Sequence, residues 1–493
     1  MRKRHIRILH TNDIHSHLDR TPQITSVIQS MRQQFQKRGD VVVTVDVGDH
    51  MDRRRVETEG TNGQVNVAIM NETGYDYVTL GNNEGLTFPH HVLEKMYDKA
   101  SFQVILSNWL DLQTKKRPEW MVPWVVREWF GCRVAFTAVT APFNDFYRLL
   151  GWVVTDPVEV LQRVVSKLRY DSRADIVVLL SHLGLQYDRV LAEKVPGIDV
   201  ILGGHTHHLL ETVVQHHGTF LAATGKFGEY VGEVSLTVDA ETGRLLDVSG
   251  TCHAVEEAAP AENIVQLLKD YSQQADRQLA QAVIRLKKDL PLDWRGESPF
   301  GNLLADSLLN KVEADVAVVN TGQLLEGLSS GVVTRKDLHR ICPSPINPCR
   351  ILLRGKHLRR ALEESLLDEF QELPIQGFGF RGKQLGNLAV AGMHVVYRPD
   401  APPYEKIVDI RIGDHSVEDR KRYRVSTIDM FTFGIGYASL KEGDDVEFFL
   451  PDFLRDLLAK QLQRAEHIEA AFRKRWYRLD ELAERKAVSA KST

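Results

Sequence analysis

From residue 5 to about 250, short β-branched runs alternate with stretches whose apolar residues recur at helical spacing. The runs Ile6 to Leu9, Val41 to Val47, Tyr75 to Leu80, Gln103 to Leu106, Val134 to Val139, Ile176 to Leu180 and Ile198 to Leu202 read as strands. The segments Ile24 to Gln36, Asn62 to Asn71 and Val158 to Tyr170 read as helices between several of them. Such alternation predicts a layered α/β domain. The texture changes at His253, where Pro260 precedes a Gln/Ala/Leu/Glu-rich segment that reads as a connecting helix. The expected division is therefore a first domain over 1–252, a connecting helix over 253–284 and a second domain over 285–450. Residues 451–493 read as charged amphipathic helices ending in a frayed tail, AVSAKST. His216 and His217 fall in a hairpin before GTF and read as a solvated turn.

Five of the apolar runs stop at a polar cluster built from metal-ligand residue types. IRILHTNDIHSH ends in Asp13 and His15, VVVTVDVGDH in Asp49, YDYVTLGNNE in Asn82, DIVVLLSHLG in His182, and IDVILGGHTHH in His205 and His207. In layered α/β proteins, ligands collect at the carboxyl ends of strands, where loops carry polar groups on a rigid apolar sheet. Mixed carboxylate, imidazole and amide donors suit divalent ions such as Zn, Mn, Fe or Co, whereas a calcium site would lack the histidines. Seven donors exceed one tetrahedral ion. They fit two divalent metal ions about 3.5 to 4 Å apart, with Asp49 as the shared carboxylate.

Composition narrows the alternatives. The 493 residues carry a net charge of −4, so no global basic field exists to hold nucleic acid or an anionic membrane. The four cysteines lack the spacing of a structural zinc site or a disulfide framework. No apolar run is long enough to span a bilayer, and MRKRHIRILH lacks a signal-peptide core, so the expectation is a cytoplasmic protein. Protein partners are not indicated.

The same blocks, in this order, resemble the calcineurin-like metallophosphoesterases, and HTNDIHSHLD with GGHTH resembles their 5'-nucleotidase branch. The resemblance implies a four-layer αββα sandwich followed by a separate α+β C-terminal domain that supplies the nucleoside pocket. It implies one metal held by Asp13, His15, Asp49 and His207, and a second by Asp49, Asn82, His182 and His205. The implied chemistry is attack of a metal-bound hydroxide on a phosphate ester of a 5'-nucleotide or related phosphorylated nucleoside, with domain closure over the metals. A cyclic-nucleotide or nucleotide-sugar phosphodiesterase shares that metal chemistry. A metal- and nucleotide-binding sensor with weak turnover is the reading from another class. GESPFGNLLADSLL, with Glu297, Ser298, Asn302 and Asp306, and ADVAVVNTG resemble the family's two C-terminal signatures. Taken alone they read as a capped amphipathic helix and a buried strand.

Three departures from the family pattern matter. GNHE is GNNE here, so the catalytic position is Asn83, an amide with no proton to transfer near neutral pH, followed by Glu84. His17, His50 and His208 are the candidate substitutes. The phosphate-gripping arginine that follows Asn-Gly-Gly is replaced in NTGQLLEG by Leu324 and Leu325, leaving Arg340 and Arg381 as candidates. VSTIDMFTFGIGYASL puts Ile435 where a ribose-binding acid is expected. The aromatic clamp for a base is expected from Phe431 or Phe433 of that loop and Phe378 or Phe380 of QGFGFRG.

Overall fold

The computed structural model describes residues 2–377 and 379–481. The chain separates into two compact units, Met1–Gln278 and Leu279–Thr493. Among the described residues the first unit holds a seven-stranded and a six-stranded sheet. The seven-stranded sheet runs Leu245–Ala254, Tyr230–Asp239, Lys3–Thr11, Val41–Asp46, Tyr77–Val78, Gln103–Ile105 and Met121–Val122. The six-stranded sheet runs Val214–His216, Thr219–Ala222, Val200–Gly203, Ile176–His182, Cys132–Thr140 and Trp124–Trp129.

The sheets pack face to face, with the ring of Tyr77 on one lying 5.0 Å from that of Phe136 on the other. Every residue of Ile176–His182 is buried, as expected of a central strand covered on both faces. Helices Pro157–Tyr170 and Leu185–Lys194 cover the outer face of the six-stranded sheet through Leu161, Val165, Leu168 and Leu191. Thr21–Lys37 and Gln64–Thr73 lie on the side of the other sheet. The result is the αββα sandwich that the resemblance implied. The helix Glu262–Leu279 follows, and its Ile264 packs on Leu18, Val65 and Ile69.

The strands form where the β-branched runs predict them, with shifted ends. Only Tyr77–Val78 of the run from Tyr75 to Leu80 keeps ladder pairing on both sides, and the last strand of the series starts at Val200 rather than Ile198. No helix among the described residues is long and apolar enough to cross a membrane.

The second unit is built on a five-stranded sheet, Leu388–Ala391, Val316–Asn320, Arg422–Ile428, Pro348–Arg354 and Asp444–Phe448. The helix Pro299–Lys311 packs Phe300, Leu303, Leu304 and Leu308 into the core, and the Ser298 hydroxyl caps it by accepting from the Gly301 amide. Around that cap the polar residues of GESPFGN clasp a distant stretch of chain. Glu297 accepts from the amides of Arg475 and Trp476, Asn302 donates to the carbonyls of Ala471 and Arg473, and the Arg475 guanidinium reaches Asp306. Consequently the C-terminal segment is not wholly helical. After Leu454–Leu462 and Ala465–Ala471 it turns into a strand, Trp476–Arg478, parallel to His394–Tyr397. That switch is set by partners far away in sequence, which a helical charge pattern cannot report. The tail AVSAKST and Phe378 lie outside the described residues.

Candidate metal centre

The loops that follow Lys3–Thr11, Val41–Asp46 and Tyr77–Val78 come from one sheet, and those that end Ile176–His182 and follow Val200–Gly203 come from the other. These are the five strand ends singled out in the sequence, and they meet at one place. Asp13, His15 and His207 each offer a ligand atom within 4.8 Å of the others, and so do Asp49, His182 and His205. Asp49 faces both groups: its Oδ1 is 3.4 Å from Nε2 of His182 and its Oδ2 is 3.9 Å from Nε2 of His15.

The backbone is distorted to achieve this. Asp13, His15, Asp49, His205 and His207 all have positive φ, between 48° and 74°. Such a conformation costs a residue with a Cβ on the order of 1 kcal/mol or more, and it persists only where surrounding structure enforces it. Here the two loops of the seven-stranded sheet are zipped together beyond their strands. The amides of Asp13, His15 and Ser16 donate to the carbonyls of Gly48, Asp49 and His50. Gly81 is equally constrained, because a Cβ at that position would stand 2.1 Å from Asp49 Oδ1 and 2.6 Å from His182 Nε2.

Several polar groups orient the donors. The Asn12 amide donates to Asp13 Oδ2 at 2.8 Å and to the Gly225 carbonyl, while its oxygen accepts from Thr224. The amide of His205 also donates to Asp13 Oδ2, at 2.9 Å. His182 Nδ1 lies 2.8 Å from the carbonyl of Val47, which can only accept, so Nδ1 carries a proton and Nε2 is directed into the site. There Nε2 of His182 and Oδ1 of Asn82 are buried without a hydrogen-bond partner. Orphaned acceptors of this kind are rare in a folded interior, and a cation would satisfy both. The residues present therefore fit divalent metal ions.

Electrostatics agree with a site built for positive charge. Burial alone would push Asp13 up, but hydrogen bonds from His15 and His207 and the nearby His182 hold its carboxyl well below the usual range. Burial would likewise lower His182, yet Asp49 raises it to about 10. Burial and then the charge of His182 lower His205.

Asn83 and Glu84 do different work. The carboxylate of Glu84 is buried and accepts from the amides of Asp49, Met51 and Gly81, tying two of the loops together. Burial and the neighbouring charge of Asp49 push it up to about 7. The amide of Asn83 donates to Asp49 Oδ1 at 2.7 Å, and its side chain lies 2.9 Å from Nδ1 of His15 and 3.0 Å from the Met51 carbonyl. Of the three histidines considered in its place, His50 is fully enclosed, bonded to Asn66, and lowered by burial to about 3. His17 packs on Phe227 at 4.1 Å, and His208 pairs with the Thr206 hydroxyl. Phe227, Asn12 and Thr206 were not picked out in the sequence. Asn12 had a signal, its place beside Asp13 at a strand end, while Phe227 had none.

Among the described residues, the aromatic side chains expected to form the clamp differ in exposure. Phe431 is fully buried, with its ring 5.8 Å from that of Tyr437, and Phe380 is 4% exposed, so core packing occupies both. Phe433 is 45% exposed. Arg340 pairs with Glu326, and the Arg381 guanidinium donates to the carbonyl of Phe380. Leu324 is buried in the core.

Residues 6–209 match the family model of the calcineurin-like phosphoesterases, and residues 274–442 match that of the 5'-nucleotidase C-terminal domain. The metallophosphoesterase YunD of Bacillus subtilis (strain 168) is 38% identical over 462 residues, covering 93% of this chain and 99% of its own length. The 5'-nucleotidase of Rattus norvegicus is 23% identical over 465 residues, 82% of this chain and 77% of that protein. Among solved structures, the NAD nucleotidase of Haemophilus influenzae shares the fold with a TM-score of 0.67 at 16% identity, covering 97% of this chain and 98% of that one. A strained, histidine-rich cluster at converging strand ends thus sits in the first of two matched domains, and the chain belongs to the calcineurin-like metallophosphoesterases with a 5'-nucleotidase C-terminal domain, a family of metal-dependent phosphoester hydrolases.

Proposed function

We propose that the chain is a dinuclear-metal phosphohydrolase that cleaves 5'-nucleotides or related phosphorylated nucleosides. The observation that carries this reading is the position of Asp49, whose two carboxylate oxygens face histidines of separate donor groups. Asp13, His15, Asp49 and His207 would hold one ion, and Asp49, Asn82, His182 and His205 the other. Two such ions, when bound, supply Lewis acidity toward the phosphoryl oxygens and lower the pKa of a water molecule. The protein's own part is to pre-set the donors: Asn12 and the His205 amide orient Asp13, the Val47 carbonyl orients His182, and Glu84 pins the loops that carry Asp49 and Asn82. The substrate class is supported by the C-terminal domain match and by the nucleotidases among the relatives. Among the described phenylalanines expected in the clamp, Phe433 is the exposed one, and it would stack on a base.

One observation favours a second reading, a metal- and nucleotide-binding sensor with weak turnover. Asn83 occupies the proton-donating position with an amide, and its side chain is engaged by His15 and Met51. A single experiment separates the readings: phosphate release by metal-loaded protein from a panel of 5'-nucleotides, cyclic nucleotides and nucleotide sugars, with Asp49→Asn as control. Turnover of 5'-nucleotides abolished by the control is expected. Full metal loading without turnover on any member of the panel would overturn the hydrolase assignment in favour of the sensor, and preference for the cyclic or sugar substrates would make the protein a phosphodiesterase.

A further inference from the structure

At the edge of the six-stranded sheet, Val214–His216 pairs antiparallel with Thr219–Ala222, and His216 stands opposite Thr219. The turn between them is two residues, His217 and Gly218, with φ of 47° and 87°. Positive φ at both centres is the signature of a type I′ turn, whose first position favours Asn, Asp or Gly. An imidazole there is held in a conformation that residues with a Cβ avoid. The consequence is directional. Successive residues of a strand point to opposite faces, yet the rings of His216 and His217 lie together, 4.7 Å apart and edge to face.

Both rings converge on Glu193 in the last turn of the helix Leu185–Lys194. Oε1 of Glu193 is 3.1 Å from Nε2 of His216 and 3.6 Å from Nε2 of His217. An ion held tetrahedrally by nitrogen and oxygen at about 2.0 to 2.1 Å spaces its ligand atoms about 3.4 Å apart. The two distances bracket that value, and the histidine–aspartate pairs His182–Asp49 and His207–Asp13 of the candidate centre show 3.4 Å. All three residues offer a ligand atom within 4.8 Å of one another. A hydrogen bond accounts for the His216 contact, but not for a second imidazole turned to the same carboxylate oxygen by a strained turn, and one cation would engage all three side chains.

We propose that Glu193, His216 and His217 form a peripheral site for a divalent transition ion of the zinc type, separate from the phosphohydrolase centre. Three protein donors leave a coordination position for water. The ion ties the hairpin to the C-terminal end of a helix whose other end is engaged by Thr206, which accepts from the Leu185 amide between His205 and His207. The donors are reachable, with side chains between 30% and 60% exposed.

The test is a calorimetric zinc titration of the chelator-stripped full-length chain against two variants. His217→Asn keeps a residue that the turn favours and removes the imidazole, and Glu193→Gln changes an exposed helix end without touching the hairpin. The wild type is expected to take up one equivalent more than either variant, and to gain more thermal stability from the added zinc than either variant does. Phosphate release is expected to be unchanged in both. Equal stoichiometry in the wild type and either folded variant would overturn the site.

Discussion

The side-chain amide of Asn83 lies 2.9 Å from Nδ1 of His15. Its other neighbour is the Met51 carbonyl, which draws the amide nitrogen. With the nitrogen toward His15, Nδ1 accepts and the ring proton sits on Nε2, the atom that faces Asp13 and Asp49. The one nitrogen serves both contacts, since turning the amide over would set its oxygen against the Met51 carbonyl. Asn83 is therefore a positioning residue for His15, and a cation on Nε2 would require the ring proton to move to Nδ1 and this contact to be released.

Asn83→Asp, an acceptor only, is expected to retain metal more tightly against a competing chelator than Asn83→Ala, by about 10- to 100-fold. Equal retention by the two variants would show that His15 does not depend on this contact.

Gly81→Ala is expected to lower metal affinity at least about tenfold, because overpacking of this kind costs about 1 to 3 kcal/mol and the methyl group falls on Asp49 and His182. Far-UV circular dichroism should be unchanged, and metal content by mass spectrometry after dialysis reads the effect. Wild-type retention would mean that the two side chains do not ligate.

Two phenylalanines two residues apart should behave differently. Phe433→Ala is expected to raise the KM for a 5'-nucleotide about 5- to 100-fold at nearly constant kcat, the loss of a stacking contact of about 1 to 3 kcal/mol. Phe431→Ala, at a fully buried ring, is expected instead to lose about 3 to 5 kcal/mol of stability. An unchanged KM in the Phe433 variant removes that ring from the binding surface.

Burial pushes the Asp429 carboxyl up to about 7. The unfolded chain releases the same proton near about 3.9. Below that value the group's contribution to stability is fully present; as pH rises toward 7 the folded state holds a proton that the unfolded state has lost, and the contribution disappears. Asp429→Asn removes this titration. The stability of the wild type relative to the variant is expected to fall by up to about 1.4 kcal/mol per pH unit between pH 4 and 7, measured by urea unfolding. Parallel profiles would place the ordinary carboxyl range at Asp429.

The proposed metal donors were legible in the sequence because each lies at the end of an apolar run or a few residues beyond it, and strand ends of an α/β sheet face the same side. The strained backbone at Asp13 and His15 was not legible, since it depends on hydrogen bonds to residues 48 to 50 in another loop. Glu84 was recognisable as a motif residue, but its role as acceptor for three amides is a three-dimensional fact. The same limit explains Phe380 and Phe431, whose glycine-rich loops resembled a binding surface while their rings fill a core. Glu297 and Asn302 looked like a helix cap because their partners lie some 170 residues away.

Because its donors are split between two sheets, the centre exists only once those sheets have docked. An unfolded chain presents no such cluster, so every increment of cation affinity is also an increment of fold stability. Ions held there would act as a rivet through the sandwich, and their removal is expected to lower the stability of the first unit as well as any activity that depends on them.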